Sequence, residues 1–115
     1  MAALLNRAKM ATSTTGTGTV TLGAAVTGFL SLSEAGAVDS NTYPYLIEEG
    51  DDFELGSGTY ASSGTTFSRD SVTVSKISGT AGTSKMNLTG NATLAIVPKS
   101  KDVAAVPLAI ALVIL

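Results

Sequence analysis

The chain has 115 residues and a net charge of −2, with no Cys and no His, so it holds one domain with a modest core. Without thiols or imidazoles, disulfides, thiol nucleophiles, histidine bases and the usual zinc ligands are excluded. The cations Arg7, Lys9, Arg69, Lys76, Lys85, Lys99 and Lys101 are scattered along the chain, which leaves no basic footprint for nucleic acid.

Apolar residues make up 44% and charged residues 14%, and much of the remainder is Thr, Ser and Gly, a composition that suits pleated surfaces and turns. The opening run Ala2-Ala3-Leu4-Leu5 is too short for the apolar region of a signal peptide, so Sec-type export is not expected. Asn6 to Thr12 is expected as a first strand, with Arg7 and Lys9 on one face and Ala8 and Met10 on the other. After a turn at Ser13 to Gly16, Gly18 to Gly23 alternates cleanly, placing Val20 and Leu22 inward. The Gly16-x-Gly18 pair lacks the third glycine and the following helix of a dinucleotide loop, so it is taken as strand and turn.

Ala24 to Asn41 fits either a short helical turn or an irregular strand, and is expected as a connecting loop anchored by Phe29. Tyr43 to Thr66 is expected to form a β-meander. Tyr45 and Ile47 alternate with Leu46 and Glu48, Glu49-Gly50-Asp51-Asp52 supplies the turn, and Phe53 and Leu55 resume the alternation around an outward Glu54. Gly56-Ser57-Gly58 interrupts the run, and Ser62-Ser63-Gly64 offers a second turn. Pro44, without an N–H, belongs at an edge or at the first residues of its strand. Val72 and Val74 are expected inward on the next strand. Lys76 to Lys85 is expected as a loop, and Thr89-Gly90-Asn91 as the turn of a last hairpin between Met86–Leu88 and Ala92–Val97. Seven or eight short strands of this kind define an all-β fold, a small antiparallel sandwich or barrel.

The chain divides into a β domain, residues 1–102, and an apolar C-terminal segment, residues 103–115. Val103 to Leu115 is wholly apolar and contains Pro107. As a helix it would extend only ~20 Å against a hydrocarbon core of ~30 Å, so no membrane span is expected. Two homes remain open: a terminal strand in the domain's own core, or an arm buried by a neighbouring subunit. Its interface residues would be Val103, Val106, Leu108, Ile110, Leu112, Ile114 and Leu115.

Several residues invite chemistry. Glu48, Glu49, Asp51, Asp52 and Glu54 are oxygen ligands for a hard cation, but they lack the D-x-[DN]-x-[DN]-G order of a calcium loop. Nor do neighbouring carboxylates on a turn define a glycosidase cleft. Asn87-Leu88-Thr89 and Asn91-Ala92-Thr93 match glycosylation sequons but serve equally as turn residues. Tyr43, Tyr45 and Tyr60 suit either sugar stacking or core packing. No catalytic, metal or cofactor residue is assigned.

Taken in order, the stretches from Asn6 to Gly23 (NRAKMATSTTGTGTVTLG), Ile47 to Tyr60 (IEEGDDFELGSGTY), Ser63 to Arg69 (SGTTFSR) and Leu88 to Ala92 (LTGNA) resemble a small β domain. That domain recurs in virion proteins of tailed bacteriophages and of gene transfer agents. The resemblance covers about Asn6 to Val97; Phe53 stands where that family often has Trp, and the apolar segment after Asp102 falls outside the pattern. It implies a virion structural protein, assembled in the host cytoplasm and without enzymatic activity. The role expected is a head decoration or cement protein that contacts copies of itself and a major capsid protein. The alternative is a module at the base of a head spike or in a tail fibre, contacting a host glycan or another fibre chain. No cofactor, nucleic acid or membrane is expected as partner.

Overall fold

The computed structural model describes residues 4–100. Ten strands follow in order: β1 (Lys9–Thr12), β2 (Thr15–Gly16), β3 (Val20–Thr21), β4 (Thr42–Glu49), β5 (Asp52–Ala61), β6 (Thr66–Phe67), β7 (Ser71–Ile77), β8 (Thr80–Gly82), β9 (Leu88–Thr89) and β10 (Ala92–Ile96). The fold is all-β, as expected, with more and shorter strands than the alternation suggested. Eight antiparallel strands form one sheet, curled into a half-barrel, in which β1, β10, β4 and β5 lie side by side. Along its far edge β5 pairs first with β7, which carries β8, and at its end with β6, which carries β3. The strands β2 and β9 form a separate pair.

The ladders β1–β10 and β2–β9 keep one register. Thr12 faces Ala92, and three residues on Thr15 faces Thr89, three residues back. Together they are one antiparallel ribbon bent at Ser13-Thr14 and Gly90-Asn91, with Gly90 at φ +104°. Leu88 to Ala92 is therefore a corner between two pairings, where a hairpin was expected. The bend frees backbone N–H groups that need other acceptors. Glu49 supplies one, its carboxylate accepting from Thr89 N–H at 3.0 Å and Asn91 N–H at 2.9 Å.

The β4–β5 hairpin closes through Gly50-Asp51, with Gly50 at φ +62° and Glu49 opposite Asp52. A positive φ at the first turn residue matches strand twist and favours glycine. This turn fixes which side chains share a face: Ile47 stands opposite Glu54, and Tyr45 opposite Gly56. Tyr45 and Ile47 are buried, so Glu54 is buried with them, and Phe53 and Leu55 lie half-buried on the other face. The expected faces of β5 are thus reversed.

On β7 a bulge opposite Leu55 and Gly56 sets Val74 against Leu55 and Val72 against Gly56. The extra residue, Thr73, places two valines of one alternation on opposite faces. Val74 is outward and 37% exposed. Lys76 to Lys85 also departs from expectation: Ser78 and Gly79, both at positive φ, turn the chain into β8, the pattern of a two-residue hairpin.

The core packs Met10, Val20, Leu22, Leu32, Tyr43, Tyr45, Ile47, Tyr60, Phe67, Met86, Leu88, Leu94 and Ile96. Leu32, fully buried, anchors the 24–41 connection. Phe29 instead lies half-buried beneath two cations, with the Arg7 guanidinium carbon 4.3 Å and Lys9 Nζ 5.2 Å from its ring centroid. The turn after it is fixed by a reciprocal capping box, Ser31 N–H donating to Glu34 Oε1 at 2.9 Å and Glu34 N–H to Ser31 Oγ at 3.0 Å.

Far from interrupting β5, Gly56 and Gly58 let it continue beneath its neighbours. A Cβ at Gly58 would overlap the Ser68 carbonyl oxygen and the Phe67 ring, and one at Gly56 would overlap the Ser71 carbonyl oxygen. Gly58→Ala should therefore cost at least about 1 to 3 kcal/mol, as overpacking does. Gly82→Ala, where no atom lies within 4 Å, should leave the urea midpoint nearly unchanged. Equal midpoints for the two variants would contradict the close approach at Gly58.

Candidate functional site

The five carboxylates of the meander do not converge. Glu48 reaches Lys9 across the sheet surface at 3.9 Å, Glu49 holds the ribbon bend, and Asp51 is exposed. Asp52 accepts from Ser78 N–H at 2.9 Å, joining the β4–β5 turn to the β7–β8 turn. Glu54 enters the core. Among the described residues no group of three or more His, Cys, Asp or Glu is placed to hold a metal ion.

Glu54 is the centre of the most concentrated chemistry in the domain. Its carboxylate is fully buried and accepts four hydrogen bonds, the capacity of its two oxygens. Oε2 accepts from Tyr45 Oη at 2.6 Å and Arg69 Nε at 2.8 Å. Oε1 accepts from Arg69 Nη2 at 2.5 Å and Met86 N–H at 2.8 Å. Arg69, 3% exposed, meets Glu54 as a bidentate fork and spends its other donors on backbone. Its Nη2 donates to the Met86 carbonyl at 2.6 Å, and its Nη1 to the carbonyls of Gly16 at 3.2 Å and Gly18 at 3.3 Å. The Tyr45 ring meets Phe67 edge to face, with centroids 5.5 Å apart.

The electrostatics follow from that geometry. Burial alone would raise the Glu54 pKa, but hydrogen bonds from Arg69, Tyr45 and Met86, together with the Arg69 charge, hold it below its ordinary value. Burial works against the Arg69 cation as well, and Glu54 keeps its pKa raised. Tyr45 is pushed well above the usual tyrosine range, first by burial and then by the adjacent carboxylate. Glu54 is therefore an anion fixed by a cation, and Tyr45 a neutral donor. The carboxylate has no free lone pair to offer a substrate, and the cluster joins β4 and β5 to the end of β2 with the loop after it and to the segments that hold Arg69 and Met86.

The remaining expected sites resolve as follows. Tyr43, Tyr45 and Tyr60 are buried, so none forms a sugar-stacking platform; Tyr43 Oη accepts from Val38 N–H at 2.8 Å. Asn87 and Asn91 are exposed, Asn87 just before β9 and Asn91 at the bend before β10. The interface residues Val103, Val106, Leu108, Ile110, Leu112, Ile114 and Leu115 lie outside the described residues. Arg69 was not singled out from the sequence. The signal that identifies it is indirect: hairpin parity places Glu54 inward, and a buried carboxylate requires a cation.

Comparison with protein-family models, with curated proteins and with solved structures finds no match to this chain.

Two predictions follow from the cluster. Glu54→Gln leaves the Arg69 charge buried without its counter-ion and should cost about 3 to 5 kcal/mol, more than Phe53→Ala on the outward face. Replacing both partners, Glu54→Leu with Arg69→Met, should cost less than the two single changes added together. Urea titrations of Glu54→Gln, Phe53→Ala, Glu54→Leu, Arg69→Met and the double variant check this order.

The pH dependence has two limbs. Because the folded pKa of Glu54 lies below 4.5, its contribution is complete above that pH and is lost as pH falls through the folded value. Because the folded pKa of Tyr45 lies above 10.0, its contribution is complete below pH 10 and is lost as pH rises. Urea midpoints should fall on both sides, and Tyr45→Phe should remove most of the alkaline limb.

Proposed function

We propose that this chain is a non-enzymatic structural protein of a phage-type virion, a head decoration or cement protein that stabilises capsid junctions through contacts with its own copies and with the major capsid protein. The observation that supports this most is the use made of the acidic side chains. Glu49, Asp52 and Glu54 each tie backbone or side chains of separate segments together, as suits a rigid structural part. Asp70 does the same, accepting from Ser68 Oγ at 2.6 Å and Thr59 Oγ1 at 2.7 Å. The ordered motifs from Asn6 to Ala92 point to the virion setting.

Contacts between subunits would bury exposed apolar side chains outside the core, among them Leu4, Leu30 and Val38, which are 49%, 39% and 55% exposed. Symmetry multiplies each such contact around a capsid, so a modest pairwise interaction yields a large gain in particle stability.

Copy number in purified particles tests the proposal. A decoration protein should be present at on the order of hundreds of copies per particle, set by capsid symmetry, and should map to the head in density of intact particles. Tens of copies or fewer, located at a spike or tail, would favour the fibre or spike-base role. Absence of the chain from particles would overturn both.

A further inference from the structure

The sheet face turned away from the core carries a continuous apolar band. Ala95, Leu46, Leu55 and Val74 stand opposite one another across β10, β4, β5 and β7, with Phe53 beside Leu55 on the same face of β5. At about 4.8 Å between strands the band is ~14 Å wide. Toward β1 the row continues to Lys9, whose ammonium lies by the Phe29 ring, so that end is closed by the 24–30 loop. A sheet with one face on a core commonly turns a polar face to water; here polar residues flank the band, Glu48 and Lys76 standing opposite Phe53, but the row itself carries none from β10 to β7.

The chain returns to this face at the end of the described residues. Val97 N–H donates to the Pro44 carbonyl at 3.3 Å, and Lys99 Nζ donates to Ser57 Oγ at 2.7 Å. Ser57 follows Leu55 by two residues on β5 and therefore shares its face, about 7 Å away. Lys99 is only 7% exposed, a degree of burial uncommon for lysine on a sheet surface. Residue 99 is thus fixed on the outward face beside the band. Ser100 to Asp102 span at most about 10 Å, and thirteen consecutive apolar residues follow.

We propose that this band is the docking site for the same molecule's own segment Val103–Leu115, laid against β10, β4, β5 and β7 as a second layer. The linker decides the occupant. A segment joined by three residues to a point beside its site has an effective concentration in the millimolar range, above that of free copies in dilute solution, so the intramolecular site fills first. The docked segment would shield from water a face that would otherwise be an association hazard. The inference is independent of the virion role and holds or fails without it.

Directed disulfide formation tests it, on a background with no native Cys. The full chain would carry Leu55→Cys, or Val74→Cys as a second site tolerant of substitution, paired in turn with Val106→Cys, Leu108→Cys or Ile110→Cys. Oxidation of the dilute protein should give a monomer lighter by two hydrogens for at least one pair at each site. Val38→Cys, paired with the same tail positions, should not close. Disulfide-linked dimers in place of closed monomers would assign the site to a neighbour's segment and overturn the proposal. Closure with none of the pairs, or equally with Val38→Cys, would overturn it too. A chain ending at Asp102 should keep its circular dichroism spectrum and bind a hydrophobic dye several-fold more strongly than the full chain. Unchanged dye binding by the folded, truncated chain would count against docking on the band.

Discussion

A carboxylate and a guanidinium removed from water together set the terms for the rest of this fold. Transferring either ion alone into the core costs several kcal/mol even after relaxation, so neither Glu54 nor Arg69 can occupy its place unless the other does. The pair is then bound to the backbone on every side: to Met86 through both its N–H and its carbonyl, and to Gly16 and Gly18 through their carbonyls. Apart from Gly16, which ends β2, these residues belong to no strand. Their positions are dictated by where a fully saturated ion pair needs donors and acceptors, which makes the cluster a specification of geometry more than a source of net stability.

The same logic of exact satisfaction runs through the periphery. The bent ribbon of β1, β2, β9 and β10 leaves amides without ladder partners, and Glu49 takes up two of them. The turn between β7 and β8 presents the Ser78 amide to Asp52. In each case a side chain of the β4–β5 hairpin fastens a distant segment. With two glycines admitting the neighbouring chain at van der Waals distance, that hairpin is both the centre of the sheet and the source of its ties.

Much of this was legible in the sequence. The all-β class, the hairpin at Gly50-Asp51, and the inward faces of Val20, Leu22, Tyr45 and Ile47 follow from period-two alternation and turn chemistry. The reversal of Phe53, Glu54 and Leu55 was legible too, but only by combining two facts. Across a two-residue turn, residues facing each other have a fixed index sum, so an inward Ile47 requires an inward Glu54, whatever hydropathy suggests for Phe53 and Leu55. Hydropathy read strand by strand misses this, because it does not couple one strand's parity to the next. The bulge on β7 and the bend at Gly90 have no comparable local signal. Each depends on which strand lies alongside, and the pairing of β9 with β2 joins residues more than seventy positions apart. For the candidate site the sequence supplied the acids but not their roles, since the partner of Glu54 lies fifteen residues away in the short connection between β6 and β7.

The reach of Arg69 has a consequence for the order in which the domain can be made. Its acceptors at Gly16 and Gly18 leave the ribosome early, Glu54 follows some forty residues later, and Met86 comes last. Until Met86 has emerged, a nascent chain can form the β4–β5 hairpin but cannot saturate the carboxylate in it, so the hairpin has no reason to close over Glu54. Loop closure over such separations is entropically costly and slow. Vectorial synthesis therefore leaves the Glu54 carboxylate without its Met86 donor until nearly all of the strands are available.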